Sequence, residues 1–158
     1  MESAKAWIRA LKLKEHPEGG YFKETYRAEM EIDAPGFEGR RSAGTAIYYL
    51  LESGQFSAFH RIKSDEIWHF YAGSPLAVHM IQDGIYRKME VGRSKSLQAV
   101  VKAGCWFAAS VQRPRSYSLV GCTVAPGFDF RDWEAGKRSE LLASYPEHSK
   151  IIEKFTRQ

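Results

Sequence analysis

Short runs of alternating apolar and polar residues, separated by turn-forming residues, make up most of the chain. A period of two is typical of strands that bury one face, and many short strands at regular spacing predict a sandwich or a barrel. No strand–helix alternation is present, which argues against a doubly wound sheet. The predicted strands cover residues 21–30, 43–51, 76–81, 85–91, 97–101, 106–109, 116–124 and 128–133, with two more inside 54–73.

The two ends of the chain carry helix patterns instead. Residues 3–13 place Trp7, Ile8 and Leu11 on one helical face, and Ser3 is a suitable N-cap. Two short helices are predicted over residues 138–145 and 146–155. Residues 33–42 are rich in proline and glycine and predict a mobile loop, a candidate lid. The sequence therefore predicts one mainly all-β domain over residues 1–158 with short N- and C-terminal helices.

One strand–turn–strand unit, residues 54–73, carries the candidate chemistry. His60 and Glu66 lie on its two predicted strands, on either side of the polar break at residues 63–65. An imidazole and a carboxylate in an apolar cavity acquire perturbed pKa values, which suits general acid–base catalysis. The alternative is a buried His–Glu hydrogen bond with a structural role. Strict alternation predicts that the cavity is lined by Phe56, Ile62, Trp68 and Phe70.

Composition limits the classes of function. The chain has 158 residues, 44% of them hydrophobic, which is enough for one core, and a net charge of +4. The basic residues are scattered, so no nucleic-acid-binding stripe is predicted. The N-terminal residues do not resemble a signal peptide and no apolar run is long enough for a membrane span, so a cytoplasmic protein is expected. Cys105 and Cys122 are predicted to be buried free thiols.

The spacing of Gly54, His60, Glu66 and Gly73 resembles the first motif of the cupin superfamily. The second histidine of that motif is replaced by Ile62. In the second cupin motif, Phe107 stands where a histidine belongs. Two of the four usual metal ligands are therefore missing, and the resemblance implies no metal cofactor. A metal held by His60, Glu66 and one further ligand is the alternative, since catalytic sites typically use three protein ligands.

Three longer segments are similar to the cupin-5 (DUF985) family: HPEGGYFKETYR at 16–27, SDEIWHFYAG at 64–73 and GCTVAPGFDF at 121–130. This resemblance implies a cupin double-stranded β-helix, or jelly-roll barrel, as a single domain. It also implies a homodimer and a pocket for a small molecule.

A more distant similarity concerns the segment GYFKETY at 20–26. It is similar to an early strand of the metal-free epimerases that act on nucleotide-linked 4-keto-6-deoxysugars. The resemblance implies that His60 is the catalytic base, next to Arg61, and that Tyr117 on a later strand is the acid. His60 precedes the arginine here, whereas in that family the arginine comes first. The candidate ligand-binding residues are Tyr21, Phe22, Glu24, Arg61, Trp68, Phe70, Phe107 and Asp129.

Asp129, between two phenylalanines, is also a candidate for orienting His60, because a carboxylate can fix an imidazole tautomer. Three functions remain open at this point. The first is a metal-independent epimerase or isomerase acting on a sugar or sugar nucleotide, with His60 as base and Glu66 in support. The second is a non-catalytic small-molecule-binding protein. The third is a metal-dependent dioxygenase or isomerase. Expected partners are a small molecule and a second copy of the chain, with neither nucleic acid nor membrane.

Overall fold

A computed structural model describes residues 2–157 and contains thirteen strands over that range. They are β1 (Lys14–Glu15), β2 (Tyr21–Arg27), β3 (Glu31–Ile32), β4 (Arg41–Ser42), β5 (Thr45–Glu52), β6 (Phe56–Ile62), β7 (Asp65–Gly73), β8 (Leu76–Gln82), β9 (Ile85–Val91), β10 (Gln98–Val101), β11 (Trp106–Val111), β12 (Tyr117–Ala125) and β13 (Trp133–Ala135).

Two antiparallel sheets face each other and enclose the main core. One sheet has the order β1-β2-β5-β12-β7-β10, and the other has the order β13-β6-β11-β8-β9. Side chains from both sheets meet between them, among them Leu51, Trp68 and Val120 from the first sheet and Val78 and Phe107 from the second. The predicted mainly all-β jelly roll is confirmed, because alternating strands bury one face of each sheet against the other.

Helices cover the outer faces of the two sheets. Helix α1 (Ala4–Leu11) begins where the Ser3 hydroxyl accepts a hydrogen bond from the Ala6 N–H, and it packs against the six-stranded sheet. Helices α2 (Arg138–Ser144) and α3 (Ser149–Lys154) are joined through a 3-10 turn at Pro146–His148. They cover the five-stranded sheet over Phe59 and Trp106. Within residues 2–157, no helix is long and apolar enough to cross a bilayer.

Two segments differ from the sequence prediction. Residues 128–133 form a 3-10 helix, Phe130–Asp132, in place of a strand, because the Asp129 carboxylate accepts the Arg131 N–H and favours a local turn over the sheet. The predicted loop 33–42 connects β3 to β4 in a hairpin, and its last two residues, Arg41 and Ser42, form β4. The buried Arg41 guanidinium there contacts Asp132 with Nε–Oδ2 at 2.7 Å and Nη2–Oδ1 at 2.8 Å, which ties the hairpin to the barrel.

A β-bulge in β6 sets the face on which His60 lies. Phe107 of β11 pairs with His60, but Ala109 pairs with Ser57, so β6 carries one extra residue between the two pairs. As a result Ser57 and His60 are both buried, while the Phe56 ring packs against Phe155 beneath the C-terminal helices. The prediction that Phe56 shares a face with His60 is therefore wrong, since strict alternation does not hold across a bulge.

Candidate functional site

A cavity of about 380 Å³ opens between the two sheets. Its polar wall contains His16, Glu18, His60, Glu66 and Cys122. Its apolar wall contains Phe22, Ile47, Ile62, Val124 and Trp133. Its rim contains Thr45, Glu24, Arg27, Phe128, Asp129 and Phe130. The volume and the mixture of apolar lining with a few polar groups are typical of small-molecule sites.

His60 is fixed in the wall of this cavity through one ring nitrogen. Its Nδ1 lies 2.8 Å from the Ala58 carbonyl oxygen and 2.5 Å from Glu18 Oε2. A carbonyl oxygen only accepts hydrogen bonds, so Nδ1 must carry the proton. The ring also packs on Phe107, with 4.1 Å between centroids. Nε2 has no hydrogen-bond partner among residues 2–157, and it is therefore the nitrogen left for a molecule in the cavity.

Glu18 reaches His60 from a tight turn between β1 and β2. The His16 Nδ1 accepts the Glu18 N–H at 3.1 Å, and the Tyr49 hydroxyl donates to the Gly19 carbonyl at 2.7 Å. The Glu18 side chain is 4% exposed, and neither of its oxygens has a well-directed hydrogen bond within the described chain. Its close neighbour is the His60 ring, so the carboxylate is placed to stabilise an imidazolium.

Burial and charge act against each other on the pKa of His60. Burial is the largest single effect and disfavours the imidazolium, but the Glu18 carboxylate, the Ala58 carbonyl and Glu66 together outweigh it, so the pKa of His60 is raised above its ordinary value. In His16, burial prevails and the pKa is lowered. His16 is therefore the neutral histidine of the cavity, and His60 is the more basic one.

Glu66 on β7 supplies a second titrating group. Burial raises its pKa to about 7, against the opposing effect of His60 and of the Cys122 thiol, which hydrogen-bonds to it. Burial likewise raises the pKa of Cys122, so that side chain stays a thiol. A carboxyl group with a pKa of about 7 and an imidazole with a raised pKa therefore share one cavity, an arrangement suited to acid–base chemistry.

The rim carries two arginine–carboxylate pairs. Arg27 contacts Glu24 through Nε at 2.9 Å and Nη2 at 2.8 Å, and Nη2 also donates to the Phe128 carbonyl at 3.0 Å. Arg131 contacts Asp129 through Nε at 3.0 Å and Nη2 at 2.8 Å. The hydrogen bonds from Arg131 lower the pKa of Asp129. Asp129 is therefore committed to Arg131, and it is Glu18 that contacts His60, which corrects the prediction for Asp129.

Five of the predicted site residues line the cavity: His60, Glu66, Phe22, Glu24 and Asp129. Three more lie next to it in the core: Phe107 and Trp68 are buried and Phe70 is half-buried. Phe107 lies under the His60 ring, while Trp68 and Phe70 extend the Glu66 face of β7 into the main core without reaching the cavity. The predicted shared face of Glu66 and Trp68 is thus observed, but only Glu66 can touch a molecule in the cavity.

Three predicted site residues lie on outer faces, and their assignments are corrected. The Tyr117 hydroxyl accepts the Trp7 Nε1–H at 3.0 Å and donates to the Glu2 carbonyl at 2.8 Å, under helix α1. Tyr21 packs in the same cluster. Arg61, adjacent to His60 on a strand, points to the opposite face, where it pairs with Glu134 at 2.7 Å.

Sequence reasoning missed Glu18, His16 and Cys122. Glu18 and His16 lie after the predicted N-terminal helix, where the sequence predicts no site residue, and Cys122 is predicted only to be a buried free thiol. The signal in the sequence is the Gly19–Gly20 pair, which predicts a turn with positive φ angles. The structure has this turn, with φ +108° at Gly19 and +76° at Gly20. Nothing in the sequence identifies His60 as the neighbour.

The histidines outside the cavity are bonded elsewhere. His69 Nε2 lies 2.6 Å from the Thr123 hydroxyl, and His79 lies 2.8 Å from the Tyr86 hydroxyl and 3.0 Å from that of Ser110. Over residues 2–157, no group of three or more His, Cys, Asp or Glu side chains is arranged to hold a metal ion. His69 and His79 are therefore not placed to serve as the third ligand.

Two facing antiparallel sheets with this cavity between them define a cupin. The chain belongs to the family described as "Cupin superfamily (DUF985)", whose model matches residues 5–136. The cupin and DUF985 resemblance seen in the sequence is thereby confirmed.

Relatives of this chain come from distant organisms. The uncharacterised protein YML079W of Saccharomyces cerevisiae is 32% identical over 142 residues, which cover 79% of this chain and 71% of the yeast protein. A hypothetical protein from Leishmania major is 37% identical, with a TM-score of 0.93 over 99% of this chain and 100% of that one. A protein from Shewanella oneidensis is also 37% identical, with a TM-score of 0.90 over 99% of each chain.

Proposed function

We propose that this cupin binds a small organic molecule between its sheets and catalyses a metal-independent proton transfer at a carbon next to a carbonyl group. The reaction class is epimerisation or isomerisation, and the substrate class is a sugar or a sugar nucleotide. One observation carries the proposal: His60 lines the cavity, its Nε2 has no hydrogen-bond partner among residues 2–157, and its Nδ1 donates to the Ala58 carbonyl and lies beside the Glu18 carboxylate. This is the arrangement that a general base requires.

The proton transfer uses three side chains in different roles. Nε2 of His60 takes the proton from carbon, and Glu18 stabilises the imidazolium that forms. Glu66, protonated below its pKa of about 7, gives a proton to the carbonyl oxygen as an enol develops. For epimerisation, the enol proton returns to Glu66, water adds a proton to the opposite face of the same carbon, and His60 releases its proton to water. For isomerisation, His60 gives its proton to the former carbonyl carbon, and the hydroxyl on the first carbon gives its proton to the Glu66 carboxylate.

The cavity also supports the proposed substrate class. A volume of about 380 Å³ accommodates a monosaccharide ring. Phe130, 60% exposed at the rim, and Phe128 beside it offer flat apolar surfaces on which a ring outside the cavity can stack.

Solvent exchange into a sugar ketone tests this proposal. A nucleotide-linked 4-keto-6-deoxysugar is incubated with the protein in D₂O, and loss of the C–H signal next to the ketone is followed by NMR. We expect exchange with the unaltered protein and a loss of at least ~100-fold in His60→Gln. His69→Gln, which removes a histidine outside the cavity, should retain exchange.

Other outcomes of the same experiment point to the alternatives. Binding without exchange in any variant would favour a non-catalytic binding protein. Stoichiometric iron, nickel or zinc in protein purified without chelator, together with exchange that a chelator abolishes, would contradict the metal-independent route.

The role of Glu18 has its own test, which needs no substrate. Because the Glu18 carboxylate favours the charged ring, Glu18→Gln should lower the pKa of His60 in an NMR titration of the imidazole. Glu24→Gln, which removes the rim carboxylate bonded to Arg27, should leave the pKa of His60 unchanged. An unchanged His60 titration in Glu18→Gln would remove Glu18 from the mechanism.

A further inference from the structure

A second cavity, of about 580 Å³, lies behind the turn that carries Glu18. Its walls are apolar on one side, formed by Ala58, Phe59 and Leu142. Glu18 and Trp133 belong to the walls of both cavities. The Glu18 carboxylate lies against His60, while its main-chain carbonyl accepts a hydrogen bond from Arg157 on the side of the second cavity. The two cavities are therefore adjacent, and they are separated by Glu18 and Trp133.

Two guanidinium groups in the second cavity are held in place by neutral partners. Arg157 Nη2 donates to the Glu18 carbonyl at 2.8 Å, and its guanidinium stacks 4.8 Å from the centre of the Phe56 ring. Arg138 donates to the Thr156 hydroxyl at 2.8 Å and to the Thr156 carbonyl at 2.6 Å. Both guanidiniums are therefore held in position, and neither forms an ion pair with a carboxylate of residues 2–157.

A third cationic side chain, Lys137, also borders the second cavity, but unlike the two arginines it pairs with a carboxylate. Lys137 pairs with Glu140 at 2.9 Å on an exposed surface, where such a pair contributes little. The charge of the second cavity is thus positive, in contrast to the main cavity, whose polar wall holds Glu18 and Glu66.

We propose that the second cavity is a separate binding site for a small organic anion, with a carboxylate or phosphate group on an apolar body. Guanidinium groups bind both kinds of anion through their N–H donors. The Nη1 groups of Arg138 and Arg157 make no hydrogen bond among residues 2–157, so they are the donors that remain for an anion. The apolar side chains of Phe59 and Leu142 would cover the body of the same molecule. This site is independent of the proton transfer assigned to His60.

Phenyl phosphate is a suitable probe, because it carries a phosphate on a small apolar ring. Its binding to the full chain is followed by NMR, with the amides of Gly136 and Ser139 as reporters of the second cavity and that of Val124 as a reporter of the main one. We expect saturable shifts at Gly136 and Ser139. Phenol, which lacks the charge, and inorganic phosphate, which lacks the ring, should each bind at least ~10-fold more weakly.

Three variants locate the site. Arg157→Gln should weaken phenyl phosphate binding ~10-fold by removing one charge-assisted contact. Ser139→Glu should weaken it by adding a negative charge to the cavity from an exposed position, where the serine makes no hydrogen bond to either arginine. Arg113→Gln, which removes an exposed arginine from the loop after β11, should leave binding unchanged.

Several results would overturn the proposal. They are shifts confined to Val124, equal affinity for phenol and phenyl phosphate, or full affinity in both Arg157→Gln and Ser139→Glu. His60→Gln should bind phenyl phosphate as the unaltered protein does. A failure of the proton-transfer proposal would therefore not be mistaken for a failure of this one.

Discussion

At the residue scale, the buried carboxyl group of Glu66 links the chemistry of the cavity to the stability of the fold. Its pKa rises from an ordinary 4.5 to about 7 on folding, because burial disfavours the charged form. Between these values the folded chain binds more protons than the unfolded chain. The free energy of unfolding therefore falls as the pH rises from 4.5 to 7.

Glu66→Gln should remove this dependence. The glutamine cannot ionise. The free energy of unfolding of the variant should therefore rise relative to that of the unaltered protein as the pH rises from 5 to 8, by on the order of 2–3 kcal/mol. The raised pKa of His60 gives a slope of the same sign, which the variant keeps through Glu18 and the Ala58 carbonyl and loses only by the smaller effect of Glu66. Urea unfolding at a series of pH values measures the difference.

The control for Glu66→Gln is Glu24→Gln at the rim, where the carboxylate is 40% exposed. Its stability curve should run parallel to that of the unaltered protein. If the curve of Glu66→Gln runs parallel as well, Glu66 is not the buried titrating group inferred from its surroundings.

At the element scale, the turn between β1 and β2 depends on the absence of a side chain at Gly19. A Cβ atom there would lie 2.3 Å from the Phe56 carbonyl oxygen, which is main chain and cannot move aside. Gly54 has a comparable backbone, with φ +87°, but open space around it. Alanine substitutions at the two positions therefore distinguish the free-energy cost of a positive φ from the added cost of a steric clash.

Gly54→Ala should cost about 1–2 kcal/mol of unfolding free energy, from the left-handed backbone alone. Gly19→Ala should cost more than ~3 kcal/mol, because the clash adds to the backbone cost. It should also lower the pKa of His60 by displacing Glu18. Denaturant unfolding and the NMR titration measure the two effects, and equal costs at both glycines would contradict the close approach.

At the scale of the whole molecule, three apolar clusters share strands and therefore should not unfold separately. Tyr49 and Leu51 of β5 lie in the main core, while Leu50 lies in the cluster under helix α1. Phe107 of β11 lies in the main core, and Trp106 lies in the cluster under the C-terminal helices. Loss of either strand disrupts two clusters at once.

We therefore expect a single cooperative unfolding transition, as the single-domain prediction for residues 1–158 requires. Far-ultraviolet and near-ultraviolet circular dichroism should give the same midpoint, and the calorimetric and van 't Hoff enthalpies should agree. Separate midpoints would indicate that one cluster is an independent unit. Homodimer assembly and a cytoplasmic location stay predictions, which light scattering and cell fractionation would measure.

The sequence by itself determined most of the elements and part of the site. Alternating residues predict the strands, Ser3 predicts the start of α1, and Asp83–Gly84 predicts a hairpin in which both residues have positive φ, 51° and 76°. His60 and Glu66 could be placed together because they are six residues apart across one short turn. Each of these features depends on local periodicity or on local backbone conformation, which a sequence pattern records directly.

Only the tertiary structure decided which groups complete the cavity. Glu18 reaches His60 from a turn 42 residues earlier in the chain, and Cys122 reaches Glu66 from a strand 56 residues later. Such contacts depend on the order of strands in the two sheets, which periodicity does not specify. The bulge in β6 likewise reverses the face of Phe56, and a single extra residue leaves no clear pattern in the sequence. His60 could thus be chosen as the candidate base from local sequence, whereas its carboxylate neighbour Glu18 is identified only by the fold.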